Sequence, residues 1–425
     1  MKLFVILVCL IMNFECFSKT YIVKRSNQSE KIINQNFEIK KISKLSQIGY
    51  TVVELDEEKE FLLKGMTYEP DQKVWLVNSP RMGWPWDFGW PWNWPRCPYC
   101  PWPWPWPTPA PAPTPAPTPA PTPAPIPTPI PDDKWSKQWG MGASENYGTN
   151  AEKAWGISTG KGVVVAILDS GVDTDHKDLN QNIWQNAREI VNGIDDDGNG
   201  YVDDVNGFNF VNNTPYAQDD NGHGTHCAGI VAANGEVKGL APQSKIMALK
   251  FLASNGSGDI SGAIKGVLYA VDNGAQIISA SFGGGYSKAL EDAITYAESK
   301  GVLFIAAAGN DSRNIDFYPT YPASYTQSNV VTVESHDSQG ARSYFSNYGN
   351  RVDVSAPGSD IYSTYSYGRY ETLSGTSMAT PFVSAAAALV WAYKPNYDFR
   401  KVKDALTQKN ARIKLDAYKT LIISN

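Results

Sequence analysis

The stretch VVVAILDSGVD, from Val163 to Asp173, decides the fold class, because six apolar residues run without a polar break up to Asp169. An uninterrupted apolar run of this length is typical of a strand that is buried on both faces of a parallel sheet. Comparable runs recur further along the chain as IISAS, VLFIAAA and VVTV, which begin at residues 277, 302 and 330. These runs predict several buried parallel strands.

Helical segments lie between these predicted strands. They include SGAIKGVLYAVDNG at residues 261–274 and YSKALEDAITYAESKG at residues 286–301, and the second ends in a glycine stop. Alternating strands and helices predict an α/β domain with a doubly wound, mostly parallel sheet that is flanked by helices. In such folds, catalytic groups gather at the carboxyl ends of the strands.

The composition is typical of a globular protein. The chain has 425 residues, a hydrophobic fraction of 42% and a net charge of −6, which gives no indication of a nucleic-acid partner. Residues 1–18 predict a signal peptide, because Lys2 precedes an apolar run that ends in small residues. The run is too short for a comfortable membrane span, so we expect a secreted, extracellular protein.

The remaining chain divides into three parts. Residues 19–79 are mixed sequence with strand-like pieces such as YTVVEL and KVWLV. Residues 80–132 hold 21 of the 29 prolines and 8 of the 14 tryptophans, and every second residue from Pro101 to Pro131 is proline. Because proline fixes φ and has no N–H, this part predicts a polyproline II linker. Residues 133–425 carry the predicted α/β domain.

The stretch NGHGTHCAG contains two of the four histidines, His223 and His226, three residues apart. A His-x-x-His pair can bind a metal, but a catalytic zinc usually takes three protein ligands. The other histidines, His176 and His336, are isolated, and the sequence has no His-Glu-x-x-His pattern. The alternatives are a base that transfers protons and two histidines that are satisfied by hydrogen bonds at a helix start.

Two other stretches provide partners for an imidazole. Asp169 directly follows an apolar strand, and Ser377 in LSGTSMATPF opens an apolar helix. Gly375 lets the backbone turn tightly before this serine, and Pro381 is tolerated only near a helix start. A helix start also offers free N–H donors. An acid, an imidazole and a hydroxyl at the ends of elements therefore favour nucleophilic catalysis.

The blocks AILDSGVD, HGTHCAG and SGTSMATP resemble, in this order, the three signature blocks of the subtilisin-like serine proteases. The resemblance covers about residues 133–422. It implies that Ser377 is the nucleophile, that His223 is the general base, and that Asp169 orients the imidazole and stabilises its charged form. His226 is then expected to be a packed, hydrogen-bonded helix residue.

The same resemblance implies an oxyanion hole and a substrate cleft. Asn310, at the end of FIAAAGN, matches the asparagine that the family uses as an oxyanion donor beside the serine N–H. Substrate-binding roles are implied for Ser281, Phe282, Gly283, Ala308 and Gly309. Because no charged residue clearly specifies an acidic or basic P1 side chain, we expect a preference for apolar or aromatic residues there.

The stretch NGIDDDGNGYVDD is dense in oxygen ligands. Asp195, Asp197 and Asn199 alternate before Gly200, as in an EF-hand loop, although the usual closing glutamate is replaced by Asn206. The expected calcium ligands are Asp195, Asp197, Asn199, Tyr201, Asp203 and Asp204. The alternative is a solvated acidic loop. We expect structural calcium and no organic cofactor.

Residues 19–79, most clearly TYEPDQKVWLV, resemble the propeptides of these proteases, which assist folding and block the cleft until they are cut. The alternative is an unrelated small domain.

The Trp/Pro-rich part departs from the family. Its apolar indoles suggest contact with a cell wall, a glycan or a membrane surface, and the alternative is a spacer whose tryptophans fold back on the protease.

These features predict a secreted, monomeric serine endopeptidase that is made as a self-processing precursor and acts on polypeptide substrates. The alternative is a surface adhesin or wall-binding protein that uses the Trp/Pro segment and keeps the protease domain as a scaffold. A scaffold has no need to retain four dispersed polar groups, which favours the enzyme.

Overall fold

The structure is a computed structural model, and it describes residues 18–35, 39–64, 66–77, 136–143, 145, 147–408 and 413–424. Most of the predicted signal peptide and all of the predicted Trp/Pro-rich linker lie outside the described residues. The described chain forms a small N-terminal unit, residues 18–77, and a larger unit that begins at residue 136.

The N-terminal unit is a four-stranded antiparallel sheet with one helix. Its elements are β1 (Ser18–Lys24), α1 (Asn27–Gln35), β2 (Lys40–Leu45), β3 (Tyr50–Asp56) and β4 (Tyr68–Pro70), with a 3-10 helix at Glu57–Leu63. The strand order is β2-β3-β1-β4. Ser18, which the sequence assigns to the signal peptide, begins β1.

The side chains of β1 alternate between two hydrophobic cores. Tyr21 and Val23 pack inside the N-terminal unit, whereas Ile22 between them joins the core of the larger unit. Successive residues of a strand point to opposite faces, so one strand can contact both units. Residues 18–77 are therefore seated on the larger unit through buried apolar side chains.

The larger unit is built on an eight-stranded parallel sheet. Its strands are β6 (Val164–Asp169), β7 (Gly207–Asn209), β8 (Lys245–Lys250), β10 (Ile277–Ala280), β12 (Leu303–Ala307), β13 (Val330–His336), β14 (Val354–Pro357) and β17 (Ile413–Lys414). Their order is β17-β14-β13-β12-β10-β6-β8-β7. From β6 the chain continues to one side of the sheet and later returns to the other, so β6 borders the topological switch point.

Helices flank this sheet, and short strands lie at its carboxyl edge. The helices are α2 (Ala151–Trp155), α3 (His223–Ala232), α4 (Ile260–Asp272), α5 (Lys288–Ser299), α6 (Thr376–Tyr393), α7 (Phe399–Thr407) and α8 (Ala417–Ile423), with 3-10 helices at Trp139–Met141 and Asn180–Asn182. β5 (Lys73–Leu76) lies between β9 (Ser257–Asp259) and β11 (Phe282–Gly283), and β15 (Ile361–Tyr365) pairs with β16 (Arg369–Leu373).

The predicted fold class is confirmed, and the reason is visible in β6. Val165 and Ile167 join the core beneath α3 and α6, whereas Ala166 and Leu168 join the core beneath α4 and α5. Both faces of the strand are covered, which explains the apolar run without alternation. Among the described residues, no helix is long and apolar enough to cross a membrane.

Candidate active site

Asp169 and His223 meet where β6 ends and α3 begins. The imidazole Nδ1 lies 2.8 Å from Asp169 Oδ1 and 3.0 Å from Oδ2, and both side chains are buried. Burial opposes a charged imidazole, but the Asp169 carboxylate overcomes this effect and holds the pKa of His223 well above its usual value. The carboxylate therefore stabilises the charged form that the imidazole takes once it has accepted a proton.

Asp219 fixes the turn that places His223. Its Oδ1 accepts hydrogen bonds from the Gly222 and Asn221 N–H groups at 2.8 and 3.0 Å, and its Oδ2 accepts from Thr225 N–H at 2.9 Å. Gly222 has φ of 105°, a conformation that glycine adopts without strain. The sequence analysis missed Asp219, although an acidic residue shortly before a helix start is a known capping signal.

Pro381 leaves a backbone acceptor free beside Ser377. In α6, the Ser377 carbonyl would normally accept from the N–H of residue 381, but proline has no N–H. Ser281 Oγ donates to this carbonyl at 3.0 Å instead, and the Cys227 thiol contacts it at 3.4 Å. The helix start that carries Ser377 is thus tied to the residue just after β10.

The carbonyl oxygen of Val77 lies at the centre of these groups. It accepts hydrogen bonds from Ser377 Oγ at 2.6 Å and from the Asn310 side-chain amide at 2.7 Å. His223 Nε2 is buried and has no hydrogen-bond partner among the described residues. The Ser377 hydroxyl thus points to the Val77 carbonyl rather than to the imidazole.

Asn310 is held so that its amide N–H groups face this carbonyl. Its Oδ1 accepts from both the Thr376 N–H and the Thr376 hydroxyl at 2.9 Å. An amide that accepts through oxygen on one side presents its donors on the other. Thr376, which the sequence analysis did not single out, therefore positions the predicted oxyanion donor.

Residues 73–77 lie in the cleft as an extended peptide. Leu76 pairs with Phe282, and Trp75 pairs with both Gly283 and Ser257 in antiparallel register. The N–H of Val77 donates to the Ser281 carbonyl at 3.3 Å, and the N–H of Leu76 donates to the Gly256 carbonyl at 2.9 Å. The predicted substrate-binding strand is thus paired with a segment of the chain itself.

A cavity of about 570 Å3 opens beside Val77. Gly283 and Gly309 line it, as does Thr320, and an Asp311–Arg313 ion pair of 3.2 Å lies at this cavity with both side chains about half exposed. Of the predicted cleft residues, Ala308 is fully buried in a small separate cluster. Phe282 is also fully buried, and its ring lies 4.7 Å from that of Phe251.

The other histidines are engaged elsewhere. His226 Nε2 lies 3.0 Å from the Ile361 carbonyl and 3.1 Å from the Glu371 carbonyl, and burial lowers its pKa to about 3. His336 contacts Ser355, and burial lowers its pKa to about 4. Neutral, packed imidazoles at these positions fit the hydrogen-bonded interpretation of the sequence better than a metal site.

Cys227, the one cysteine among the described residues, has a free thiol that lies against the Asp169–His223 pair. Its Sγ is 3.9 Å from His223 Nδ1, and one ligand atom of each of the three residues lies within 4.8 Å of the others. Burial raises the pKa of this thiol, so its neutral form is favoured. The thiol therefore fills space beside the pair as a small, buried group.

The acidic loop brings two of the predicted calcium ligands together with a third carboxylate. Carboxylate oxygens of Asp195 and Asp197 lie within 4.8 Å of each other and of Glu189, which the sequence analysis missed. Asp203 accepts from the Asn192 and Gly193 N–H groups, so its carboxylate supports a turn.

The remaining predicted ligands are held by neighbouring side chains. Asp204 is fully buried and accepts from the Tyr269 hydroxyl, and Asn199 donates to Asp204 at 3.0 Å. The Tyr201 ring packs 4.6 Å from that of Phe208.

Comparisons with known proteins agree with this geometry. The Subtilase family profile matches residues 160–419. Thermitase of Thermoactinomyces vulgaris is 42% identical over 256 residues, which are 58% of this chain and 82% of thermitase. Subtilisin Savinase of Lederbergia lenta is 38% identical over 268 residues, which are 59% of this chain and 89% of that relative. The crystal structure of a cold adapted subtilisin-like serine proteinase superposes with a TM-score of 0.51 and 35% identity, covering 59% of this chain and 83% of that one.

Proposed function

Since the chain belongs to the subtilase family and is a subtilisin-like serine protease, we propose that Asp169, His223, Ser377 and Asn310 form its catalytic centre. One observation carries this proposal. A peptide carbonyl, that of Val77, lies between Ser377 Oγ and the Asn310 amide, beside the buried Asp169–His223 pair. The groups that acyl transfer requires thus surround the bond type on which they would act.

The mechanism follows from the roles of these groups. The Ser377 hydroxyl turns about its Cα–Cβ bond toward His223 Nε2 and gives up its proton as Oγ attacks the carbonyl carbon. The imidazole then passes this proton to the leaving amine. Asp169 accepts a hydrogen bond from Nδ1–H, which selects the neutral tautomer whose Nε2 is the free base, and the same carboxylate stabilises the imidazolium that forms afterwards. The Asn310 amide and the Ser377 N–H stabilise the oxyanion.

The substrate is an extended polypeptide. The pairing of residues 75–77 supports recognition by strand addition, since the contacts with Gly256, Ser281 and Gly283 are made by main-chain groups. The cavity beside Val77 exceeds the size of a valine side chain, which supports the acceptance of larger P1 residues, and the preference for apolar or aromatic ones stays a prediction.

Residues 18–77 act as the propeptide. Besides β5 in the cleft, two acidic side chains of this unit cap helices of the protease domain. Asp71 Oδ1 accepts from the Ser261 N–H at the start of α4, at 2.9 Å, and Glu69 Oε2 accepts from the Lys288 N–H at the start of α5, at 3.0 Å. Carboxylates are favoured at helix N-termini, and export through the predicted signal peptide would accompany this precursor form.

The acidic loop fits a structural calcium ion. Glu189 Oε2 is buried and has no hydrogen-bond partner among the described residues, and the carboxylates of Asp195 and Asp197 lie within 4.8 Å of Glu189. Three carboxylates at this spacing repel one another unless a cation neutralises them. Arg188, 3.0 Å from Asp197, supplies only part of that charge. Glu189, Asp195 and Asp197 would hold the ion, which would stabilise the loop without entering the reaction.

A fluorophosphonate probe tests the proposed centre. We expect covalent label on Ser377, located by mass spectrometry of the secreted wild-type protein. His223→Ala should lose the label, and His226→Ala is the matched imidazole control that should keep it in any folded fraction. A folded, processed wild-type chain without label would refute the proposed centre and leave the adhesin alternative, which depends on residues outside the described ones.

A further inference from the structure

We infer that the Trp/Pro-rich segment stays on the mature enzyme as its N-terminal extension, because the self-processing expected of this precursor cuts the chain ahead of that segment, between Val77 and Asn78. This inference rests on the proposed function. It names the bond of the chain that the site cleaves and the fragment that the cleavage releases.

The contacts of Val77 select the bond. The carbonyl between Ser377 Oγ and the Asn310 amide belongs to Val77, so the leaving nitrogen is that of Asn78. The strand register supports the same position, because Leu76 is paired with Phe282 and Trp75 with Gly283. A shift by one residue would exchange the faces of every side chain in β5, and buried Val74 would exchange with exposed Trp75.

Water is the only other reactant that this cleavage needs. Oγ of Ser377 bonds to the Val77 carbonyl carbon, and its proton passes through His223 to the Asn78 nitrogen as the C–N bond breaks. Water then hydrolyses the ester and restores the serine hydroxyl. The products are a fragment that ends in the Val77 carboxylate and a protease chain that begins with the Asn78 amine.

The alternating-proline stretch, residues 101–131, resists the same site. Binding in the cleft uses the N–H groups of two consecutive residues, Leu76 and Val77, as donors to Gly256 and Ser281. Every second residue from Pro101 to Pro131 is proline, so no two consecutive residues of that stretch both have an N–H. A peptide from it therefore loses one of the two hydrogen bonds in every register.

The start of the described protease domain is anchored independently of the propeptide. Gln138 bonds to Lys238 through both its amide nitrogen and its amide oxygen, at 2.9 and 3.1 Å. The Trp139 indole N–H donates to the Ser359 carbonyl at 3.0 Å. Release of residues 18–77 leaves these contacts intact, so the segment that precedes Gln138 remains joined to an anchored domain.

Mapping the new chain ends tests this inference. We would label the free amines of the secreted wild-type protein, digest it and sequence the labelled N-terminal peptides, with intact masses as a check. The expected chain begins at Asn78, and the matching fragment ends at Val77. Ser377→Ala should remain uncut. A mature chain that begins at Asp132 or later, or at any residue other than Asn78, would overturn the inference.

A graft tests the role of the N–H groups. Residues 117–123 are replaced by KVWLVNS, the sequence of residues 73–79, and the matched control carries proline in place of the grafted leucine. A second cut is expected only in the first graft. No cut in the first graft, or equal cutting of the two grafts, would contradict the proposed resistance of the proline stretch to cleavage.

Probe labelling of the same samples separates two kinds of failure. Label on Ser377 with a different chain start refutes this inference alone. The absence of both label and cut refutes the proposed function, on which the inference depends.

Discussion

The catalytic cleft and the acidic loop, residues 189–204, both contain groups that the sequence marks as functional, but they assemble them differently. In the cleft, Asp169, His223 and Ser377 come from three separate elements that the sheet topology brings to one edge. In the acidic loop, most carboxylates belong to one short run and are shared with the turns of that run.

This difference teaches where a sequence pattern is sufficient. A strand or helix end has one geometry, so a residue there has a defined direction once the fold is known. In a loop, backbone N–H groups compete for the same oxygens that a cation would use. Asp195 accepts from Gly200 N–H, and Asp203 accepts from two N–H groups. Spacing alone does not decide which carboxylates remain available.

The largest expected effect belongs to the proposed nucleophile, Ser377. Ser377→Ala should lower kcat about 10^6-fold, the size of the loss in subtilisin, which is itself a subtilase. Stability should change little, because the hydroxyl makes its strongest contact with Val77. Peptide hydrolysis and thermal unfolding of the same preparation measure both effects. A loss of thermal stability in Ser377→Ala as large as that of an acidic-loop variant would contradict the expected difference between the two regions.

Asp169→Asn should lower kcat about 10^4-fold, the loss known for the same replacement in another serine protease. The imidazole would lose the charge that raises the pKa of His223, so burial would then lower this pKa. The acidic limb of the pH–rate profile should move to lower pH as the residual rate falls. An unmoved limb would show that another group controls it.

The raised pKa of His223 also determines the direction in which the stability of the fold changes with pH. Since the pKa of His223 is raised in the folded state, the Asp169–His223 pair stabilises the fold fully below the unfolded pKa near 6.5. That contribution disappears as pH rises through the raised value. The melting temperature of Ser377→Ala should therefore decline with pH on the alkaline side more than that of the double variant with Asp169→Asn.

Asn310→Leu should lower kcat by about 10^2 to 10^3, the range found when subtilisin loses its oxyanion donor. Thr376→Val, which keeps the amide but removes one of its two orienting donors, should cost about 10-fold or less. KM should change less than kcat in both variants. Equal losses would mean that the orientation of the amide, rather than its presence, controls the oxyanion hole.

Glu189→Gln should reduce the calcium dependence of stability. A tenfold loss of affinity corresponds to about 1.4 kcal/mol, or about 2 to 4 °C in melting temperature at saturating calcium for a domain near this size. The measurement is a calcium titration followed by thermal unfolding in the Ser377→Ala background, which prevents autolysis. Asp203→Asn, which weakens a turn, should lower the melting temperature equally with calcium and with chelator.

Asp71→Asn should alter how pH affects the docking of residues 18–77, the proposed propeptide. Burial raises the pKa of Asp71 to about 6, while its hydrogen bonds with Ser261 oppose the rise. The docked state therefore holds the proton more tightly, and docking should weaken severalfold as pH rises from about 4 to about 6. Inhibition by fragment 18–77 measures this effect. The Asn variant should show a flatter profile, and an unchanged slope would assign the dependence to another group.

The sequence was sufficient for the fold, and it named most of the residues that the structure brings together in the proposed centre. The apolar runs that begin at Val163 and Val302 predicted the sheet, and the three signature blocks contain Asp169, His223 and Ser377. Thr376 and Asp219 were missed because their roles depend on hydrogen bonds to distant or turn residues rather than on a pattern.

Glu189 was missed for a different reason. It precedes the dense acidic run by six positions and returns to it only through the fold of the loop, where it accepts from the Asp197 N–H. The burial of the Ala308 side chain in a cluster with Ile315 and Val352 is a second feature that the sequence did not indicate. Local spacing does not encode either outcome.

The three-stranded sheet formed by β9, β5 and β11 has a consequence for how fast other proteins are digested. Under the proposed recognition by strand addition, a target must offer about four residues whose own N–H and C=O groups are unpaired. A residue inside a helix or a central strand does not meet this condition until its segment opens. When that opening is fast relative to cleavage, the cutting rate is proportional to the open population. Digestion patterns produced by this enzyme would then rank the segments of a folded target by their local unfolding free energy.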